Sequence, residues 1–405
     1  MTHPVIPADP FTIHVSDGEI ADLKTRLAQT RLPNEPDGNE NWDYGTNLSY
    51  MERLLTYWRD DFDWRKQEAW LNTFKQYRTT ITDEDGADHE IHFIYERSSQ
   101  PDAIPLIMTH GWPSSFREFL DVVDRLAHPQ TYGADGPAFD VIIPSLVGYG
   151  FSSKPAQPIG PAAIAELWHK LMTDVLGYDK YAAQAGDWGS FVTSRLALQH
   201  ADSLLAIHLT MLPLRPDVKD KPVTEEEAAW IKEMQAWWRQ EEGYRSIQST
   251  KPMALAFGLH DSPAGLAGWL ADKYYRLGDT EKTHPWEGME ARFPMDTILT
   301  QFSIYWFTGT INSANTLYKA GPAENSNRLK RGEKVTVPTA YSEYPMDTLP
   351  LTPQSWAERG YNLKRFKIME RGGHFAAMEE PELFADDVRA AFKELLRIDR
   401  ATYDT

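Results

Sequence analysis

Residues 181–190 read YAAQAGDWGS, and their centre, Ala185-Gly186-Asp187-Trp188-Gly189, has the form small-x-acid-x-small. Small residues two places to either side of a central side chain let a strand turn sharply into a helix and leave that side chain standing out at the turn. This is the spacing of a nucleophile elbow, with a carboxylate where a serine more commonly sits. The flanks agree: the apolar Tyr181-Ala182-Ala183 reads as the end of a buried strand, and residues 191–198 as the helix that follows. A Gly-Asp-x-Gly segment is also an ordinary surface turn, so the rest of the chain has to decide between the two readings.

The chain has 405 residues, enough for one large domain with insertions or for two domains. Aromatic residues make up 12%, including 14 Trp and 18 Tyr, which suits a large apolar cavity as well as a core. A net charge of -18 argues against a nucleic-acid surface and against attraction to anionic membranes. There is no cysteine, so a disulfide framework, a thiolate nucleophile and a cysteine metal site are excluded. The first residues carry no basic segment followed by an apolar run, and no stretch reaches bilayer length. The expectation is a soluble, cytoplasmic protein without a membrane anchor.

In chain order, residues 1–72 read as helices and loops without evident chemistry, with helix starts at Asp17 and Ser49. Residues 74–81 and 90–95, joined across Asp85-Gly86, read as a hairpin. His89 and His92 lie on its second strand with no third ligand nearby and read as ordinary strand residues, so no metal is expected. The apolar strand 104–109 runs into His110-Gly111-Trp112-Pro113-Ser114-Ser115, followed by a helical pattern over 116–126. Backbone N–H groups of a Gly-containing turn at a strand end can point at one spot, which is what an oxyanion hole requires. Strand 140–144 leads to Gly148-Tyr149-Gly150-Phe151-Ser152; Ser152 lacks the small-x-Ser-x-small setting of a nucleophile. A helix over 162–176 then leads to the elbow.

After residue 210 the strand-helix alternation stops. Residues 213–327 are rich in Trp and Tyr, with helical patterns at 225–239, 263–276 and 297–318, as a lid over a sheet edge would be. Strand patterns return at 334–340 and 366–369, followed by Arg371-Gly372-Gly373-His374-Phe375 and an amphipathic helix over 381–398. Asp187, Asp347 and His374 therefore all fall at strand ends, where catalytic groups of open α/β sheets gather. The order nucleophile, acid, histidine is that of the α/β-hydrolase fold. The expected architecture is a mostly parallel sheet flanked by helices (73–212 and 328–405), a helical cap (213–327) and an N-terminal extension (1–72).

His110-Gly111-Trp112-Pro113, Gly148-Tyr149-Gly150-Phe151-Ser152, Gly186-Asp187-Trp188-Gly189-Ser190 and Arg371-Gly372-Gly373-His374-Phe375-Ala376-Ala377 together closely resemble the microsomal-type epoxide hydrolases. The resemblance runs over nearly the whole chain and includes the N-terminal segment 11–119. It implies that Asp187 is the nucleophile, His374 the base and Asp347 its charge partner, with Tyr244 and Tyr318 as the lid tyrosines that open the ring. Asp347 stands where the mammalian members have glutamate, and Ala185 and Ser114 stand where glycines are usual. Glu343 is the alternative to Asp347, and Tyr305 the alternative to Tyr318. Glu379 and Glu380 read as solvated helix residues.

These residue types suit the reaction. A carboxylate that opens an epoxide leaves an alkoxide, and a phenol with an ordinary pKa of about 10 stays protonated at neutral pH to meet it. Aspartate is already ionised and needs no base to attack, so His374 is free to activate water against the resulting ester. The backbone N–H groups of Trp112 and Trp188 would meet the oxyanion of that second step. The expected substrate is a small apolar epoxide together with water; no organic cofactor is needed, and the oligomeric state is left open, a homo-oligomer included. A haloalkane dehalogenase shares the aspartate, the fold and a Trp after the nucleophile, but a leaving halide needs no lid tyrosines. A binding protein that kept the fold and lost turnover is the alternative from a different class.

Overall fold

In a computed structural model of the chain, which describes residues 8–214, 224–280, 287–347 and 349–403, nine strands form a single sheet. They are Asp9–Pro10 (β1), Gln76–Thr82 (β2), Asp88–Glu96 (β3), Ile104–Thr109 (β4), Phe139–Pro144 (β5), Tyr181–Ala185 (β6), Leu204–Leu209 (β7), Val335–Glu343 (β8) and Tyr361–Ile368 (β9). Their order is β1-β2-β3-β5-β4-β6-β7-β8-β9. Gly86, at φ +83°, makes the β2-β3 hairpin, and β3 still runs antiparallel to β5. From β5 to β9 every pairing is parallel, because each crossover carries a helix or a helical insertion. The central strands β4, β5 and β6 are apolar and almost wholly buried, as strands covered on both faces must be. Helix Asp187–Gln199 packs with Pro161–Lys170, and Pro381–Tyr403 packs with Val123–Ala127. This is the α/β-hydrolase arrangement that the order of the three strand-end residues implied.

Between β7 and β8 lie seven described helices, from Glu225–Glu241 to Ile311–Glu324. Two expected helices differ from the reading of periodicity. The 297–318 pattern is two helices, Met295–Thr308 and Ile311–Glu324, because Gly309 takes the left-handed conformation at φ +60° and ends the first. The 116–126 pattern is a 3₁₀ turn, Phe116–Phe119, and a short helix, Val123–Ala127, broken between Leu120 and Val122. Apolar spacing alone does not distinguish such a break from a continuous helix.

The N-terminal helices Asp17–Ala28, Leu48–Asp60 and Trp64–Leu71 brace these insertion helices. Trp58 Nε1 donates to Ser303 Oγ at 3.1 Å, and Thr46 Oγ1 to the Gly268 carbonyl at 2.6 Å. The Trp42 ring stacks on Tyr275 with centroids 4.2 Å apart. The segment thus fixes where the insertion sits over the sheet. No described helix is long and apolar enough to cross a membrane.

Candidate active site

The elbow is built by close approach. Strand β6 ends at Ala185, Gly186 caps the next helix, and Asp187 opens that helix at φ +43°, a conformation in which a non-glycine side chain is rarely held. A Cβ on Gly189 would lie 2.0 Å from the Thr109 carbonyl oxygen, and one on Gly186 would lie 2.6 Å from Thr210 Oγ1. The glycines therefore let the turn press against the ends of β4 and β7, and Asp187 is pushed out above the sheet.

The His110-Gly111-Trp112-Pro113 loop meets Asp187 from β4. The Trp112 N–H donates to Asp187 Oδ1 at 2.8 Å. A Cβ on Gly111 would fall 2.2 Å from that same oxygen, so only glycine lets the loop come this close. His110 is buried, and burial lowers its pKa to about 4, leaving it neutral. Its Nε2 accepts from the Leu146 N–H at 3.1 Å and so ties the loop to the end of β5. Trp188, the other expected donor, occupies the second position of the Asp187–Gln199 helix, where a backbone N–H has no partner within the helix.

His374 reaches Asp187 from the loop after β9. Its Nδ1 lies 2.7 Å from Asp347 Oδ2 and its Nε2 lies 3.5 Å from Asp187 Oδ2. Burial works against a charged imidazole here, but the Asp347 and Asp187 carboxylates outweigh it and hold the pKa well above the ordinary 6.5. Glu343, the alternative partner, is occupied elsewhere: it accepts from the Tyr341 hydroxyl at 2.8 Å and from the Thr352 N–H at 2.6 Å. Burial raises its pKa to about 7.

Tyr244 and Tyr318 stand together above the nucleophile, with ring centroids 6.0 Å apart. Tyr244 stacks on Trp112 at 5.2 Å, while Tyr318 meets Trp112 and Trp188 edge-on at 5.7 and 4.8 Å. Both line one cavity of about 120 Å³ with Asp187, Asp347 and His374. Its further walls include Met211, Leu212, Trp230, Met234, Trp237 and Trp238, an apolar surface on which a nonpolar ligand loses little on desolvation. Burial keeps the Tyr318 phenol well above the ordinary tyrosine pKa, with the neighbouring Tyr244 and Asp187 adding to the effect. Tyr305, the alternative, donates its hydroxyl to the Ser114 carbonyl at 2.8 Å.

Other residues singled out in the sequence have structural partners. His89 pairs with Asp83 at 2.8 Å, and His92 lies between Ser145 Oγ and Gln76 Oε1 at 2.9 Å each. Ser152 Oγ donates to the Ser145 carbonyl at 2.7 Å.

Glu379 is a correction. It is not a solvated helix residue but buried, and it accepts backbone N–H groups from Asp279, Gly373 and Phe375 at 2.7, 3.0 and 2.8 Å. Two of these donors flank His374, so Glu379 sets the loop that carries the imidazole. Glu380 is likewise engaged, with Arg292 at 2.6 Å and Arg371 at 2.9 Å. Gly373 completes the fit: a Cβ there would lie 2.6 Å from the Asp279 nitrogen. A glycine pair before a strand-end histidine was the available signal that something packs closely against that loop.

The family model for the epoxide hydrolase N terminus matches residues 8–119, and that for the alpha/beta hydrolase fold matches residues 104–255. A putative epoxide hydrolase of Stigmatella aurantiaca is 38% identical over 95% of this chain and 85% of its own length. Epoxide hydrolase 1 of Sus scrofa is 35% identical over 94% of this chain and 87% of its own. The crystal structure of juvenile hormone epoxide hydrolase from Bombyx mori superposes with a TM-score of 0.82 at 28% identity, covering 98% of this chain and 96% of that one. With the N-terminal segment, the hydrolase sheet and similarity across nearly its full length, the chain belongs to the epoxide hydrolase family.

Proposed function

We propose that the protein converts an epoxide and water to a vicinal diol through a covalent ester on Asp187, with the helices between β7 and β8 acting as the cap. The observation that carries this reading is the set of groups around one carboxylate. Asp187 Oδ1 is held by the Trp112 N–H, Oδ2 faces His374, and the cavity above contains two phenols.

In the first step Oδ2 attacks a ring carbon, because Oδ1 is engaged with Trp112 and becomes the carbonyl oxygen of the ester. The C–O bond of the ring breaks, and its oxygen takes a proton from a lid tyrosine. Esterification also cancels the charge of Asp187, one of the two carboxylates that hold a proton on His374. The imidazolium proton becomes easier to release and returns the tyrosinate to the phenol, which leaves His374 neutral when a base is needed. His374 then takes a proton from water, whose oxygen adds to the ester carbon, and Asp347 steadies the imidazolium that forms. The oxyanion on Oδ1 stays within reach of the Trp112 N–H, a donor of a kind worth about 3 kcal/mol in the transition state. Collapse expels the diol and restores the carboxylate, with His374 protonated as at the start.

The direct test offers the protein a panel of apolar epoxides and measures diol. Diol from the native protein and none from Asp187→Ala is the expected result. Equal rates for the two would remove Asp187 from the chemistry.

A further inference from the structure

Tyr244 and Tyr318 are treated as a pair, yet they occupy different electrostatic surroundings. Tyr318 is almost wholly buried among Trp112, Trp188 and Tyr244. Tyr244 is half-buried, at the start of helix Gly243–Thr250, and the ammonium of Lys273 lies 4.6 Å from its ring centroid. Lys273, on helix Pro263–Leu277, is 7% exposed, an uncommon position for a lysine. Asp272 at 2.6 Å and Glu241 at 3.5 Å from Nζ pair with it. A cation facing a phenol ring steadies the ring in place and favours the anion that forms when the proton leaves.

We propose that Lys273 is a positioning residue for Tyr244, and that this phenol is the one that gives its proton to the opening ring while Tyr318 contributes a hydrogen bond. The inference rests on the epoxide-opening reading above. It assigns different tasks to two residues that the sequence does not distinguish. The buried Tyr318, surrounded by rings, is poorly placed to become an anion, and the phenolate of Tyr244 would have a counter-charge beside it. The other ionisable groups around Tyr244 are distributed unevenly. Asp187, with His374 and Asp347, lies below across the cavity, and Arg245 on its own helix also lines that cavity. Tyr318 and Lys319 come from Ile311–Glu324, the latter bonded to the Thr250 carbonyl at 3.3 Å. Arg276, on the same helix as Lys273, lies 3.9 Å from Glu241. Lys273 is a cation set against the ring itself.

Two measurements test the proposal. The first is the rate of ester formation in a single turnover, followed against pH in Lys273→Met, Lys273→Arg, Tyr244→Phe and Tyr318→Phe. Alkylation needs a protonated phenol, so its rate falls as pH rises through the pKa of the donor. Loss of the Lys273 charge moves that alkaline limb up by about one unit and slows alkylation about threefold to tenfold at neutral pH. Lys273→Arg restores the limb, Tyr244→Phe removes it, and Tyr318→Phe slows the step but keeps the limb. A limb that is unmoved in Lys273→Met, or is lost in Tyr318→Phe and kept in Tyr244→Phe, overturns the proposal.

The second measurement needs no substrate. The tyrosinate absorbance difference between the native protein and Tyr244→Phe isolates one phenol, and the same difference in the Lys273→Met background should titrate about one unit higher. Equal titrations overturn the role of Lys273 even if no epoxide is turned over. Diol formation that fails in the native protein, with the titration shifted as expected, would instead overturn the reaction assigned to the site.

Discussion

Replacing Gly111 by alanine tests whether the loop after β4 and the elbow work as one unit. The added Cβ would stand 2.2 Å from Asp187 Oδ1 and 2.3 Å from the Asp187 Cβ, well inside ordinary contact, which begins near 3.4 Å. Neither neighbour is a yielding surface side chain, since Asp187 sits in a constrained left-handed turn and Trp112 is 1% exposed. The loop and the carboxylate must therefore separate by roughly 1 Å, which breaks the 2.8 Å bond from the Trp112 N–H. A misplacement of roughly 1 Å costs about a hundredfold in rate, and an oxyanion donor is worth on the order of a hundred- to a thousandfold. The two losses overlap, so kcat/KM should fall about a thousandfold, or about 4 kcal/mol of transition-state stabilisation. Single-turnover kinetics would show both alkylation and ester hydrolysis slowed. Gly258→Ala is the control: its Cβ meets nothing within 4 Å, and it lies inside helix Pro252–Asp261. That variant should keep full activity and gain up to about 1 kcal/mol of stability. A Gly111→Ala protein within threefold of native kcat/KM would refute the argument that contact between this loop and Asp187 carries the site.

Two further predictions concern His374. In His374→Gln the first step should continue and the second stop, so an adduct of protein plus epoxide accumulates and is read by intact mass; a protein that stays unmodified after prolonged incubation would deny His374 its place in hydrolysis. The second concerns pH and stability. The pKa of His374 is raised in the folded state, so its contribution is fully present below the unfolded value of about 6.5 and is lost as pH rises through the folded value. Asp347→Asn removes the largest of the effects that raise it, so the native protein should melt above this variant by a margin that is widest near pH ~6 and narrows as pH rises through the raised folded value. A margin that does not change with pH would show that Asp347 and His374 are not coupled in this way.

The parts of the site that could be read in the sequence are those set by local steric demands. The elbow and the Gly111 loop show themselves because small residues are needed where backbones nearly touch. Strand ends show themselves as apolar runs that stop at Gly, Asp or His. Choosing Asp347 over Glu343 required the fold, because only three residues separate them and only the path after β8 decides which carboxylate meets His374. Glu379 was misread for a related reason. The run Met378-Glu379-Glu380-Pro381 has the composition of an exposed helix start, and its burial arises from the 371–375 loop folding back over it. Gly309 and the break after Phe119 were hidden because apolar residues continue through them at helical spacing. The bracing role of the N-terminal segment was equally hidden. Trp58, Thr46 and Trp42 meet residues more than two hundred positions away, and nothing local marks them for it.

The central claim is that an oxygen of Asp187 enters the product. The measurement that tests it most directly is a single turnover in oxygen-18 water with protein in excess of epoxide, followed by mass analysis of both the diol and the peptide that carries Asp187. The account predicts a first diol without label, because Oδ2 supplies its new oxygen, and one labelled oxygen in the Asp187 carboxylate. A labelled first diol with an unlabelled peptide would mean that water attacks the epoxide directly, and would contradict the ester on Asp187.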